Sequence, residues 1–105
     1  NIGHTGAIAI AEALQGNAVL TDLNLGYNWI RDKGAKALAD ALRVNGVLTN
    51  LNLNKNYSIG DEGAKALAAA LRVNEVLKNI DLSPNNLGDE GRKAIHDAVS
   101  GREGF

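Results

Sequence analysis

The sequence predicts an α/β solenoid: a right-handed arc with three short parallel strands on its concave side and four helices on its convex side. Three observations carry this. Gly34, Gly63 and Gly91 follow Gly6, Gly34 and Gly63 by 28, 29 and 28 residues, and self-similarity at about 20–50 residues marks a stack of like units. Within each unit a short leucine-rich stretch alternates apolar and polar residues with period two, as a half-buried strand does. A longer stretch follows in which apolar residues recur at i, i+3 and i+4, the stripe of a helix. When strand and helix alternate in this way, successive strands run parallel and the helices return on one side.

The chain divides into a partial first repeat (1–19, loop and helix) and three repeats (20–47, 48–76 and 77–105), read together as a single domain. The first helix carries Ile10, Ala13 and Leu14 as its stripe. The strands follow as Leu20-x-x-Leu23-x-Leu25, Leu48-x-x-Leu51-x-Leu53 and Leu77-x-x-Ile80-x-Leu82. Their core face carries Leu23/Leu25, Leu51/Leu53 and Ile80/Leu82. The opposite face carries Asp22/Asn24, Asn50/Asn52 and Asn79/Asp81. The later helical stripes are Leu38, Ala41, Leu42; Leu67, Ala70, Leu71; and Ile95, Ala98, Val99. Alanine at 13, 41, 70 and 98 is small enough to let neighbouring helices sit close. Lys36, Asp40, Arg43, Lys93 and Asp97 fall on the solvated face.

Asp32, Asp61 and Asp89 recur at the helix starts, where a carboxylate caps free N–H groups and meets the positive dipole end. His4 takes that place in the first unit. Asn45 and Asn74 close the helices, and Asn17 matches them. The single glycine of each repeat is expected to let helix and strand approach closely. Neither half of a unit buries its apolar face alone. Stacking does so, at about 1.5–3 kcal/mol for each large aliphatic side chain withdrawn from water.

Composition narrows the function. The chain has 105 residues, 45% hydrophobic and 22% charged, a globular balance. A net charge of −1 gives no broad basic field for nucleic acid or an anionic membrane. With no cysteine there is no disulfide or thiolate metal site, which fits a reducing compartment and a cytoplasmic location. No apolar run reaches the ~20 residues that span a bilayer. The chain begins at Asn1, without an initiator Met and inside a repeat, so a piece of a longer array is expected. Open sheet edges at its ends invite pairing, and weak self-association through the solenoid ends is expected at high concentration. Light scattering showing only monomer there would count against it.

The pattern LxxLxLxxN followed by xIxxxGxxxLxxxL resembles the leucine-rich repeat, and it covers essentially the whole chain. Repeat length and a full helix resemble the ribonuclease-inhibitor-like subclass, found also in NOD-like receptors and in the Ran GTPase-activating protein. The wording LNLNKN…IGDEGAKALAAAL looks most like the NOD-like-receptor type. The resemblance implies a horseshoe-like arc and a protein-binding task. It also implies a structural row of asparagines after the strands, at Asn28, Asn56 and Asn85, bonding backbone of adjacent repeats. An amide buried in a sharp turn has physical reason to be there, since it satisfies donors and acceptors that have left the ladder. Repeat two carries one extra residue, Tyr57-Ser58 standing where Trp29 stands alone; a bulged loop with unchanged helix phase is expected.

No catalytic constellation emerges, so no enzyme, cofactor or metal is expected. His4 and His96 are far apart and lack cysteine partners. The carboxylates recur with the repeat, which favours caps over an acid–base pair. Asn56-Tyr57-Ser58 matches a glycosylation sequon, but its asparagine is the expected buried turn residue. Tyr27, Trp29 and Tyr57 cluster in the post-strand loops. They are either interface hot spots, for which Tyr and Trp are favoured, or covers for the asparagine row. The outer sheet face should align Asp22–Asn50–Asn79, Asn24–Asn52–Asp81 and Gly26–Asn54–Ser83. That face is polar, with few charges and no large apolar anchors, so binding there would run through hydrogen bonds. The leading expectation is a protein-binding module of a cytosolic sensor or adaptor. A fragment of a Ran-type GTPase-activating protein and an architectural spacer are the alternatives. The partner's identity is not written in the residues.

Overall fold

The computed structural model describes residues 3–56, 59–82 and 87–100. Among these, helices and strands alternate: α1 (Gly3–Gly16), β1 (Asp22–Asn24), α2 (Arg31–Val44), β2 (Asn50–Asn52), α3 (Asp61–Val73), β3 (Asn79–Asp81) and α4 (Asp89–Val99). The strands form one parallel sheet in the order β1-β2-β3. Each helix packs on the next, α1 on α2, α2 on α3 and α3 on α4. The result is one layer of strands backed by one layer of helices.

The strands are shorter than the leucine triplets. Leu25 and Leu53 fall just past their strands, yet Leu25 N–H still donates to Asn52 O (2.8 Å) and Leu53 N–H to Asp81 O (2.7 Å). The seam between the layers is aliphatic: Leu38, Leu42, Leu48, Leu51, Leu53, Leu67, Leu71 and Leu77 are fully buried, together with Ile30 and Ile59. Burial is best in the middle of the stack. Leu23, Ile80, Leu82, Ile95 and Val99, all assigned to the core, are only half-buried. Leu20 is 37% exposed, whereas its counterparts Leu48 and Leu77 are fully enclosed. Ala13 corrects the expectation of close helix packing. It is exposed, because no described helix stands on the side of α1 where α1 stands for Ala41.

The helix-start aspartates also require correction. Asp32 and Asp61 lie in the first turns of α2 and α3, where the dipole favours them, but neither caps its own helix. The Asp32 carboxylate accepts from Gly60 N–H (2.7 Å) and Gly63 N–H (3.0 Å) at the start of α3. Asp61 repeats this one unit on, accepting from Gly88 N–H (2.7 Å) and Gly91 N–H (3.0 Å) at the start of α4. Both α3 and α4 are thus capped by the helix before them. His4 replaces aspartate beside α2, whose N-terminus has no side-chain cap. Asp89 is exposed and has no partner among the described residues.

This geometry explains the glycine of each repeat, which serves helix-to-helix contact rather than helix-to-strand contact. A Cβ at Gly63 would lie 2.7 Å from the Asp32 carboxylate and 3.0 Å from Ala35 Cβ. Asp32→Ala is expected to lower stability by about 1–2 kcal/mol, and Gly63→Ala by about 1–3 kcal/mol. In urea unfolding the double variant should be less damaged than the sum, because removing Asp32 relieves part of the clash. On the outer helix face Lys65 of α3 pairs with Glu90 of α4 at 2.8 Å. The glutamate raises the Lys65 pKa, but both groups face solvent and the pair adds little to stability.

Candidate functional site

Period-two alternation places every second strand residue outside, and parallel pairing then aligns equivalent positions. The register sets Asp22 opposite Asn50 and Asn50 opposite Asn79; it sets Asn24 opposite Asn52 and Asn52 opposite Asp81. Both expected rows are therefore present, and with Leu23 and Leu51 they line one hollow on the sheet's outer face. Asp22, Asn24, Asn50 and Asn79 are exposed; Asn52 and Asp81 are half-buried. Asn50 Nδ2 donates to the Asp22 carboxylate. Asn24 Oδ1 accepts from Gly26 N–H (3.0 Å) and Asn52 Oδ1 from Asn54 N–H (2.8 Å), so each orients its amide along the end of its strand. The third row is seen at Gly26 and half-buried Asn54; Ser83 lies outside the described residues. A Cβ at Gly26 would lie 2.3 Å from Asn54 Oδ1, so this spot has no room for a side chain while Asn54 keeps its position.

Beside the hollow, the asparagine row organises the loops. Asn56 is fully buried. Its Nδ2 donates to Leu25 O (2.9 Å), Leu53 O (3.0 Å) and Asn54 O (3.3 Å). Its Oδ1 accepts from Asn28 N–H (3.0 Å) and Ile30 N–H (3.2 Å) of the preceding repeat. One side chain thereby closes its own turn and the turn before it. Asn28 is half-buried and donates to Gly26 O at 3.0 Å; Asn85 lies outside the described residues. The sequon is incompatible with this fold, since the nitrogen that would carry a glycan is the one donating three hydrogen bonds.

A second row, read in the sequence only as helix ends, does as much. Asn45 and Asn74 are buried. Asn45 Nδ2 donates to Leu14 O (2.8 Å) and Asn17 O (3.2 Å) at the end of α1. Its Oδ1 accepts from Val47 N–H (2.9 Å) and Leu48 N–H (2.8 Å). Asn74 makes the same bonds to Leu42 O, Asn45 O, Val76 N–H and Leu77 N–H.

Of the aromatic residues, Tyr27 is 63% and Trp29 52% exposed, in the β1–α2 loop. Tyr57 lies outside the described residues. Among the described residues no group of three or more His, Cys, Asp or Glu is placed to hold a metal ion, and no helix is long and apolar enough to cross a membrane.

The Leucine Rich repeat family profile matches residues 16–39, 44–68 and 73–95, well over half of the chain. The chain belongs to the leucine-rich-repeat family. No curated protein matches the sequence. Two solved structures are similar to this leucine-rich-repeat chain. One is the tropomodulin C-terminal domain of Caenorhabditis elegans, at 14% identity and a TM-score of 0.80, over 93% of this chain and 59% of that one. The other is leiomodin-1 Actin-Binding Site 2, at 27% identity and a TM-score of 0.81, over 93% of this chain and 57% of that one. The chain thus spans less than two thirds of the length of either. The first likeness shows the fold alone.

Proposed function

We propose that the chain is a protein-binding module that engages its partner through the hydrogen-bonding hollow of the sheet. The observation that carries this reading is the alignment of Asp22–Asn50–Asn79 and Asn24–Asn52–Asp81 on the outer face. The fold has no need of amides there: the core lies on the other side, and the amide bonds of Asn24 and Asn52 are local. A wet polar surface of this kind recognises main-chain and amide groups rather than apolar anchors. The test is the triple variant Asn24→Ala/Asn52→Ala/Asp81→Ala in a pull-down beside the intact protein. Partner recovery is expected to fall while the urea midpoint stays within the range of surface substitutions, about 0.5 kcal/mol per site. Equal recovery would remove the sheet from consideration.

The likeness to leiomodin-1 Actin-Binding Site 2 favours a second, narrower reading, in which the partner is actin. Co-sedimentation with actin filaments and binding to monomeric actin test it directly. The NOD-like-receptor subclass and a place in a cytosolic sensor or adaptor rest on the wording of the repeats alone. A Ran-type regulator is the alternative, and stimulation of GTP hydrolysis in a single-turnover assay would favour it.

A further inference from the structure

The β1–α2 loop is tied at four backbone groups. Tyr27 N–H donates to Asn54 O at 3.1 Å. Asn28 N–H and Ile30 N–H both donate to Asn56 Oδ1, and Asn28 O accepts from Gly3 N–H at 2.8 Å. At every second position of the loop, Tyr27, Trp29 and Arg31 have φ of 63°, 50° and 65°. This left-handed region is unfavourable for L side chains, and surrounding structure must hold it in place. The ties do so. They turn Ile30 inward and leave Tyr27, Trp29 and Arg31 exposed. Lys55, the counterpart of Tyr27 one repeat on, is left-handed too, and its ammonium sits 4.7 Å from the centre of the Tyr27 ring.

We propose that this rim is a binding surface for an acidic peptide segment that carries apolar side chains. It is separate from the sheet hollow and does not rest on the reading given above. Tyr, Trp and Arg are the residues on which interface energy concentrates. Here they stand on a backbone fixed in advance, so ordering the loop costs little on binding. Charge selects the occupant. Arg31, Lys33 and Lys55 lie on or beside the loop, and the carboxylate of Asp32, between Arg31 and Lys33 in sequence, is turned to the N–H groups of Gly60 and Gly63. Partner carboxylates would meet the cations while its apolar side chains lie on the two rings. A basic segment would meet like charge.

Trp29 is the sole tryptophan, so its emission reports the site directly. The probe is a flexible synthetic peptide of Glu, Leu, Gly and Ser, beside a twin with Lys in place of Glu. The acidic peptide is expected to shift Trp29 emission to the blue in a saturable titration that weakens as salt is raised; the basic twin should give no shift. Tyr27→Ala, and separately Arg31→Ala/Lys55→Ala, should weaken binding at least about tenfold, with unchanged far-ultraviolet circular dichroism confirming the fold. The Asn24→Ala/Asn52→Ala/Asp81→Ala variant should bind the peptide as the intact chain does. No saturable shift, an equal shift with the basic twin, or loss of binding only in the sheet variant would each overturn the proposal.

Discussion

Asn56→Ala is expected to cost about 3–5 kcal/mol, read as a fall in the urea midpoint. The side chain makes five bonds to backbone groups, and truncation strands an acceptor at Leu25 and a donor at buried Ile30. Each buried group left without a partner costs about 1–3 kcal/mol. A cost of this size is a large share of the 5–15 kcal/mol, roughly, that holds a domain together. Asn56→Asp separates hydrogen bonding from shape. A carboxylate still accepts from Asn28 and Ile30 but cannot donate to three carbonyls, and it places a charge where none is tolerated. It should do at least as much damage as alanine. A loss under about 1 kcal/mol in both would show that the turns hold without the amide.

Asn45→Ala is expected to cost about 2–4 kcal/mol, with the loss concentrated in α1. The amide joins Leu14 and Asn17 carbonyls to the Val47 and Leu48 N–H groups, so its removal loosens the end of the first helix from the second repeat. Hydrogen exchange should show α1 amides exchanging faster while those of α3 keep their protection. Asn17→Ala is the natural control. Asn17 makes the local half of the motif, to Val19 and Leu20 N–H, but is exposed, and its loss should be small. Equal effects at the two positions would show that the cross-repeat bonds carry nothing.

The sheet face was readable in the sequence because side-chain period two and parallel pairing leave one choice of face and one register. Asn56 was readable through the resemblance to leucine-rich repeats, and a sharp turn gives a buried amide a reason to be there. The aspartates were not. Asp32 sits two residues before Gly34 and 31 before Gly63, and in a chain that repeats every 28 or 29 residues those glycines look alike. Sequence offsets give contacts only up to a whole repeat, so a cap within a unit and a cap across units leave the same pattern. The same ambiguity hid the reach of Asn45 back to α1. The left-handed loop had no signal of its own, since Tyr27, Trp29, Arg31 and Lys55 stand where glycine or asparagine would have announced it. Ala13 failed for another reason: the position matches Ala41, but burial belongs to the neighbour, which the residue itself does not encode.

The bonds that cross between units run in both directions: aspartate forward to the next helix, asparagines backward to the previous helix end and loop. A segment excised at the sequence boundary therefore takes half of each joint with it. Chimaeras assembled from this chain and its relatives would splice cleanly only if donor and acceptor travel together: the Asp with the following Gly-x-x-Gly, the Asn with the helix end it fastens. The smallest heritable cassette of such an array is the seam, and the textual repeat is merely how seams are spelled.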